Sequence, residues 1–168
     1  MSTPPDPALA AAIQKMAENG AGGLTLPPPV FHEMASEPLA YRSGDDAGTG
    51  AMLRVRFPVQ ERWQNPMRHM QGGAIAMAMD NAIGPLSYLA APPSSTTQMQ
   101  LTYLAPVPPE AEHVTVEARV VRVSGRQVVI DAEMRLSDGT VAALARATNV
   151  IVRRRPRASG DGVSGAGS

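Results

Sequence analysis

The chain contains no cysteine, which excludes a disulfide scaffold, a thiolate metal site and a cysteine nucleophile. Histidine is scarce: His32, His69 and His113 are too scattered to form a zinc cluster by spacing. Lysine occurs once, as Lys15, so the basic side chains are almost all arginine. An excess of charge of either sign is also missing. Fifteen Lys and Arg offset fifteen Asp and Glu, which gives no reason to expect a nucleic-acid or membrane-surface partner. The start, MSTPPDPALA, lacks the charged opening and long apolar run of a secretory signal, so a cytoplasmic location is expected. The longest apolar run, Gly72 to Ala91, could span a bilayer by length, but Asp80, Asn81 and Pro85 interrupt it. A buried core helix fits it better.

What is present suits one domain. A length of 168 residues with 43% hydrophobic composition supports a single real core. Residues 8–19 read as a short helix stopped at Gly20, within an N-terminal helix and linker over 1–29. The tail over 153–168 is rich in Arg, Gly and Ser and is expected to be disordered. Between them, residues 30–152 form the folded unit. Strands are expected over 35–43 and 50–59, separated by the turn cluster SGDDAGTG. A long helix follows over 72–90, apolar all round and therefore buried on most sides, with Pro85 expected to kink it or start a second segment. Four further strands, over 95–105, 113–123, 127–136 and 141–152, read as an antiparallel meander, with Ser124-Gly125 and Asp138-Gly139 as tight turns. One apolar helix covered by a sheet makes an α+β domain.

The segment NPMRHMQGGAIAMAMD, from Asn65 to Asp80, carries the chemistry. It places a carboxamide, then a glycine pair at a helix start, then a carboxylate inside the helix. A helix start offers unpaired N–H groups and partial positive charge. At glycine, a substrate can approach that backbone closely. A carbonyl resting on the Gly72 N–H would be polarised, and Asp80 could attack it or activate a water. However, eight residues of helix separate Gly72 from Asp80, about 12 Å at 1.5 Å per residue. Two such helices packed antiparallel across a two-fold would bring one copy's Gly72 to the other's Asp80. Plainer roles also fit these residues. Asp80 could be half of a buried ion pair, the glycines could serve helix–sheet packing, and Asn65 could be a turn residue before Pro66.

The run Asn65-x6-Gly72-Gly73-x6-Asp80, with the later strand TTQMQLTYLAP over 96–106, resembles the hotdog thioesterases of the phenylacetic acid (PaaI-like) type. Val121-x3-Gly125-Arg126 and Asp138-Gly139-Thr140-Val141-Ala142 also resemble that family. The resemblance spans roughly residues 30–152 and is most specific in the central segment. It implies a hotdog fold, with about six antiparallel strands wrapped round one helix. It implies acyl-CoA as substrate, no metal or other cofactor, and a homodimer or dimer of dimers. On this resemblance Asp80 is the nucleophile or general base and the Gly72 N–H the oxyanion donor. Asn65 orients water or substrate, and a strand hydroxyl assists Asp80. Counting back from Tyr103-Leu104 assigns that hydroxyl to Thr96, whereas strand alternation groups Thr97 with Met99, Leu101 and Tyr103. Gln71, Gly73, Met77 and Thr97 are candidate substrate contacts, and Arg126 is a candidate for the coenzyme A phosphates. Gln71 stands where relatives usually carry His, so that position cannot titrate near neutrality. Two other functions compete: a non-catalytic acyl-CoA-binding protein, and a hotdog hydratase or dehydratase, which would usually need a site histidine.

Overall fold

The computed structural model describes residues 7–11, 14 and 27–152. Within it the alternating segments become six strands: β1 (Glu37–Arg42), β2 (Met52–Pro58), β3 (Ser94–Tyr103), β4 (His113–Ser124), β5 (Gln127–Leu136) and β6 (Val141–Ile151). All pair antiparallel in one sheet, in the order β1-β2-β4-β5-β6-β3. A short helix, α1 (Pro29–Glu33), precedes β1, and the long helix α2 (Gly72–Ala90) falls between β2 and β3. The expected α+β hotdog architecture, six strands with one long helix packed against the sheet, is the one observed.

The period of two sets what each strand buries. In β2, Leu53, Val55 and Phe57 are buried while Arg54 and Arg56 point outward to Glu117 and Glu37. Val114, Val116, Ala118 and Val120 of β4 continue that inner face, as do Val128, Ile130, Ala132 and Met134 of β5. Against it lie Ala78, Met79, Ala82, Ile83 and Leu86 of α2. Each fully buried Ile or Leu contributes roughly 1.5–3 kcal/mol. The hairpin glycines behave as expected, Gly125 at φ +58° and Gly139 at φ +89°.

Two expectations are corrected. The last four strands are not a meander of four: only β4, β5 and β6 are sequential neighbours, while β3 pairs with β6 and β4 pairs with β2. The connection over 104–112, with Pro106, Pro108 and a 3-10 turn at Pro109–Ala111, lets the chain leave β3 at one sheet edge and return beside β2. Nor does Pro85 start a second segment, the other alternative to a kink, because α2 continues as one helix through it. Proline at this position leaves the Asn81 carbonyl without its helical donor. Tertiary packing holds the turn regardless: Leu86 is fully buried, and Ser87 donates through Oγ to the Gly84 carbonyl at 2.7 Å while accepting from Ser94 at 3.0 Å.

Helix α2 is not buried on all sides. Gly73, Met77, Asp80 and Gly84, spaced four, three and four residues apart, form a stripe that is exposed or half-buried. A Cβ added at Gly73 or Gly84 would meet nothing within 4 Å. Of the helix expected over 8–19, residues 7–11 and 14 are helical and the other positions lie outside the described residues. The tail over 153–168 lies outside them as well.

Candidate active site

The Asp80 side chain stands on the open stripe of α2, and its partner comes from β3. Thr96 donates through Oγ1 to Asp80 Oδ1 at 3.2 Å. The choice between Thr96 and Thr97 is resolved by a bulge. Thr96 opposes Asn149 on β6, whereas the next paired position, Gln98, opposes Thr148. Thr97 is the extra residue, so the alternation changes phase between Thr96 and Met99. Thr97 instead donates through Oγ1 to the Thr148 carbonyl at 3.0 Å. Among the described residues Asp80 makes no salt bridge, so the ion-pair role is not observed.

Beside Asp80 opens a cavity of about 620 Å³. Its polar end is formed by Asp80, Asn81, Thr96 and Asn149, and its apolar walls include Leu9, Pro28 and Phe31 from the N-terminal segment. Neither Asn149 nor these walls was anticipated. Asn149 is 1% exposed, and its Oδ1 has no hydrogen-bond partner. A period-two reading of β6 could have found it, since Ala143, Ala145 and Ala147 are the other inward positions. Asn81 donates through Nδ2 to the Met77 carbonyl at 3.0 Å, so its side chain is partly committed to its own helix.

The helix start forms a second polar centre. Gln71 precedes α2 in an extended conformation and its side chain does not cap the helix. Ala74 and Ile75 both donate to the Gln71 carbonyl, whereas the Gly72 and Gly73 N–H groups have no partner among the described residues. Tyr103 packs closely against position 72. Its hydroxyl donates to the Gly72 carbonyl at 2.9 Å, and its ring lies 3.2 Å from where a Cβ would sit. The tyrosine therefore clamps the backbone that presents the free N–H groups. Only its hydroxyl, at the inward phase of β3, could have signalled this from the sequence.

The remaining candidates occupy separate places. Asn65 accepts through Oδ1 from the Met67 and His69 N–H groups at 2.9 and 3.1 Å, pinning the loop before the helix. That is the turn role, and it leaves the Asn65 amide nitrogen without a partner among the described residues. Met77 is half-buried on the open stripe and does not line the cavity. Arg126 donates through Nε and Nη2 to the Ile151 carbonyl at 3.1 and 3.0 Å, bracing the β4–β5 turn against the end of β6. One chain thus brings Asp80 and Thr96 together and leaves Gly72, Gly73, Gln71 and Asn65 at the other end of α2. No cluster of three or more metal-ligating side chains occurs among the described residues. No helix described is long and apolar enough to cross a membrane.

Comparison with known proteins agrees with this architecture. The family model described as Thioesterase superfamily matches residues 67–143, which contain the glycine pair, Asp80 and Thr96. No curated protein matches the chain in sequence. Among solved structures, the PaaI protein of the Escherichia coli phenylacetic acid degradation operon superposes with a TM-score of 0.70 at 14% identity, covering 86% of this chain and 96% of its own. A phenylacetic acid degradation-related putative thioesterase of Ralstonia eutropha gives 0.65 at 22% identity, covering 83% and 99%. A Streptococcus mutans protein bound to acetyl CoA gives 0.64 at 16% identity, covering 80% and 98%. The central part of the chain, residues 67–143, thus resembles the thioesterase superfamily. Its hotdog fold is the one these PaaI-like structures share.

Proposed function

We propose that the protein hydrolyses acyl-CoA, with Asp80 as general base and the Gly72 N–H as oxyanion donor, at sites shared between two copies. The single observation that carries this reading is an Asp80 carboxylate with no cation partner among the described residues, held at Oδ1 by Thr96 and opening onto a cavity. The Thr96 hydrogen bond leaves Oδ2 for a water. That water loses a proton to Asp80 as its oxygen bonds to the thioester carbon, and charge builds on the carbonyl oxygen. The C–S bond then breaks, the coenzyme A thiolate leaves, and the acid is released. The thiolate recovers a proton from Asp80 or from solvent. A relative of the same fold binds acetyl CoA, which favours coenzyme A as the thiol. The bare stripe at Gly73, Met77, Asp80 and Gly84 favours a second helix packing there, antiparallel to the first, so that each N-terminus meets the other's Asp80. Arg126 lies at the sheet end that holds Thr96, where its unused guanidinium nitrogen can meet a phosphate.

Release of free thiol from a panel of short, medium, long and aryl acyl-CoAs tests the reading. The wild-type chain should release thiol, and Asp80→Asn should lower kcat about a thousandfold or more while retaining the wild-type circular dichroism. Undiminished turnover by Asp80→Asn would remove Asp80 from the chemistry. Silence of the wild-type chain across the panel, with tight binding by calorimetry, would show a binding protein instead.

A further inference from the structure

The inner row of β6 is alanine at 143, 145 and 147 and then becomes Asn149, a side chain buried to 1% exposure. Asn149 makes no side-chain hydrogen bond among the described residues, and its Oδ1 is buried without a partner. A buried carboxamide left unpaired is unfavourable and is ordinarily removed or satisfied. This one lines the cavity beside Asp80. It opposes Thr96 across the β3–β6 pair, and Thr96 reaches Asp80 at 3.2 Å. Directly opposed residues on one face have Cβ atoms about 4.5–5.5 Å apart. Asn149 therefore addresses whatever occupies the cavity close to the reacting carbon, not at its far end.

The occupant's chemistry follows from the rest of the lining. Most of it is apolar, including Leu9, Pro28, Phe31 and Leu53, which suits a hydrocarbon chain, and Asn81, Tyr88, Ser94 and Ser95 supply its other polar groups. A plain methylene passing Asn149 would displace water and leave the carboxamide unpaired. A hydroxyl there both donates and accepts, so it can pair with either end of the carboxamide. Resting on the hydrolytic reading above, the geometry points to Asn149 as the residue that selects an aliphatic acyl group carrying a hydroxyl near the thioester.

The test compares thiol release from β-hydroxyhexanoyl-CoA and hexanoyl-CoA by the full-length wild type, Asn149→Leu and Asn149→Ala. The ratio of the two kcat/KM values on one preparation does not depend on how much of a variant is folded. The wild type should favour the hydroxylated substrate about tenfold or more, and both variants should bring the ratio to one or below. A wild-type ratio of one or less, or an unchanged ratio in the variants, overturns the assignment. If the wild type releases thiol from neither substrate, the hydrolytic reading is judged on the wider acyl-CoA panel, and calorimetry with the same two thioesters decides the role of Asn149. Tighter binding of the hydroxylated thioester that disappears in Asn149→Leu supports it, and equal affinities overturn it.

Discussion

Arginine is abundant in this chain, yet among the described residues none pairs with Asp80, whose recorded partner is the Thr96 hydroxyl. A hydroxyl orients a carboxylate without pairing it with a positive charge. A hydrogen bond to a charged group contributes about 1.5–3 kcal/mol. If that energy serves the transition state, Thr96→Val should lower kcat roughly 10- to 100-fold. Thermal stability should hold, since Val and Thr are both good strand residues. Steady-state kinetics and a melting curve check this, and an unchanged kcat would place Thr96 outside the site. Asp80 and the glycine pair were legible because their spacing on a helix has direct chemical meaning. The hydroxyl was reached by counting back from Tyr103-Leu104 to Thr96 and not by alternation, because a bulge at Thr97 shifts the phase that alternation assumes. Asn149 belongs to no local motif. Its importance arises only when β6 is laid beside β3.

At the scale of elements, alternation and turn glycines placed all six strands and the full extent of α2, because both signals are local. Strand neighbours were not legible, since a period of two specifies which face is buried and not which strand lies alongside. Hence β3 was expected beside β4 and is found beside β6. One consequence of the observed pairing is measurable. With β4 against β2, Arg54 lies 2.7 Å from Glu117, which also meets Arg119 at 3.3 Å. The hydrogen bond from Arg54 holds the Glu117 carboxyl below its ordinary value, aided by Arg119 and opposed by partial burial. A carboxyl with a lowered folded-state pKa contributes stability above its unfolded value and loses it as pH falls through the folded value. Glu117→Gln should therefore weaken folding near neutrality and flatten the decline in stability below about pH 4.3, the ordinary Glu value. Urea titrations of both proteins across acidic pH check the sign. A decline unchanged by Glu117→Gln would show that the cluster does not stabilise the sheet.

At the scale of the molecule, the two polar centres of α2 are separated by their own helix. Gly72 and Gly73 present free N–H groups at one end, and Asp80 stands eight residues further, about 12 Å along the axis. On the proposed reading, a second α2 packed on the stripe between them would restore one complete site at each end. The most direct measurement mixes two inactive proteins. Gly72→Pro removes the N–H that would receive the oxyanion, at a helix position where proline is tolerated once the exposed Tyr103 ring gives by a few tenths of an ångström. Asp80→Ala removes the carboxylate. Each alone should release almost no thiol from an acyl-CoA. Co-expressed, so that subunits assemble at random, the pair should recover about a quarter of wild-type activity, because half the dimers are mixed and each holds one intact site. Recovery near that level is the result expected if one copy's glycine and the other's aspartate meet at a single thioester. No recovery, with mixed dimers shown to be present, would contradict it.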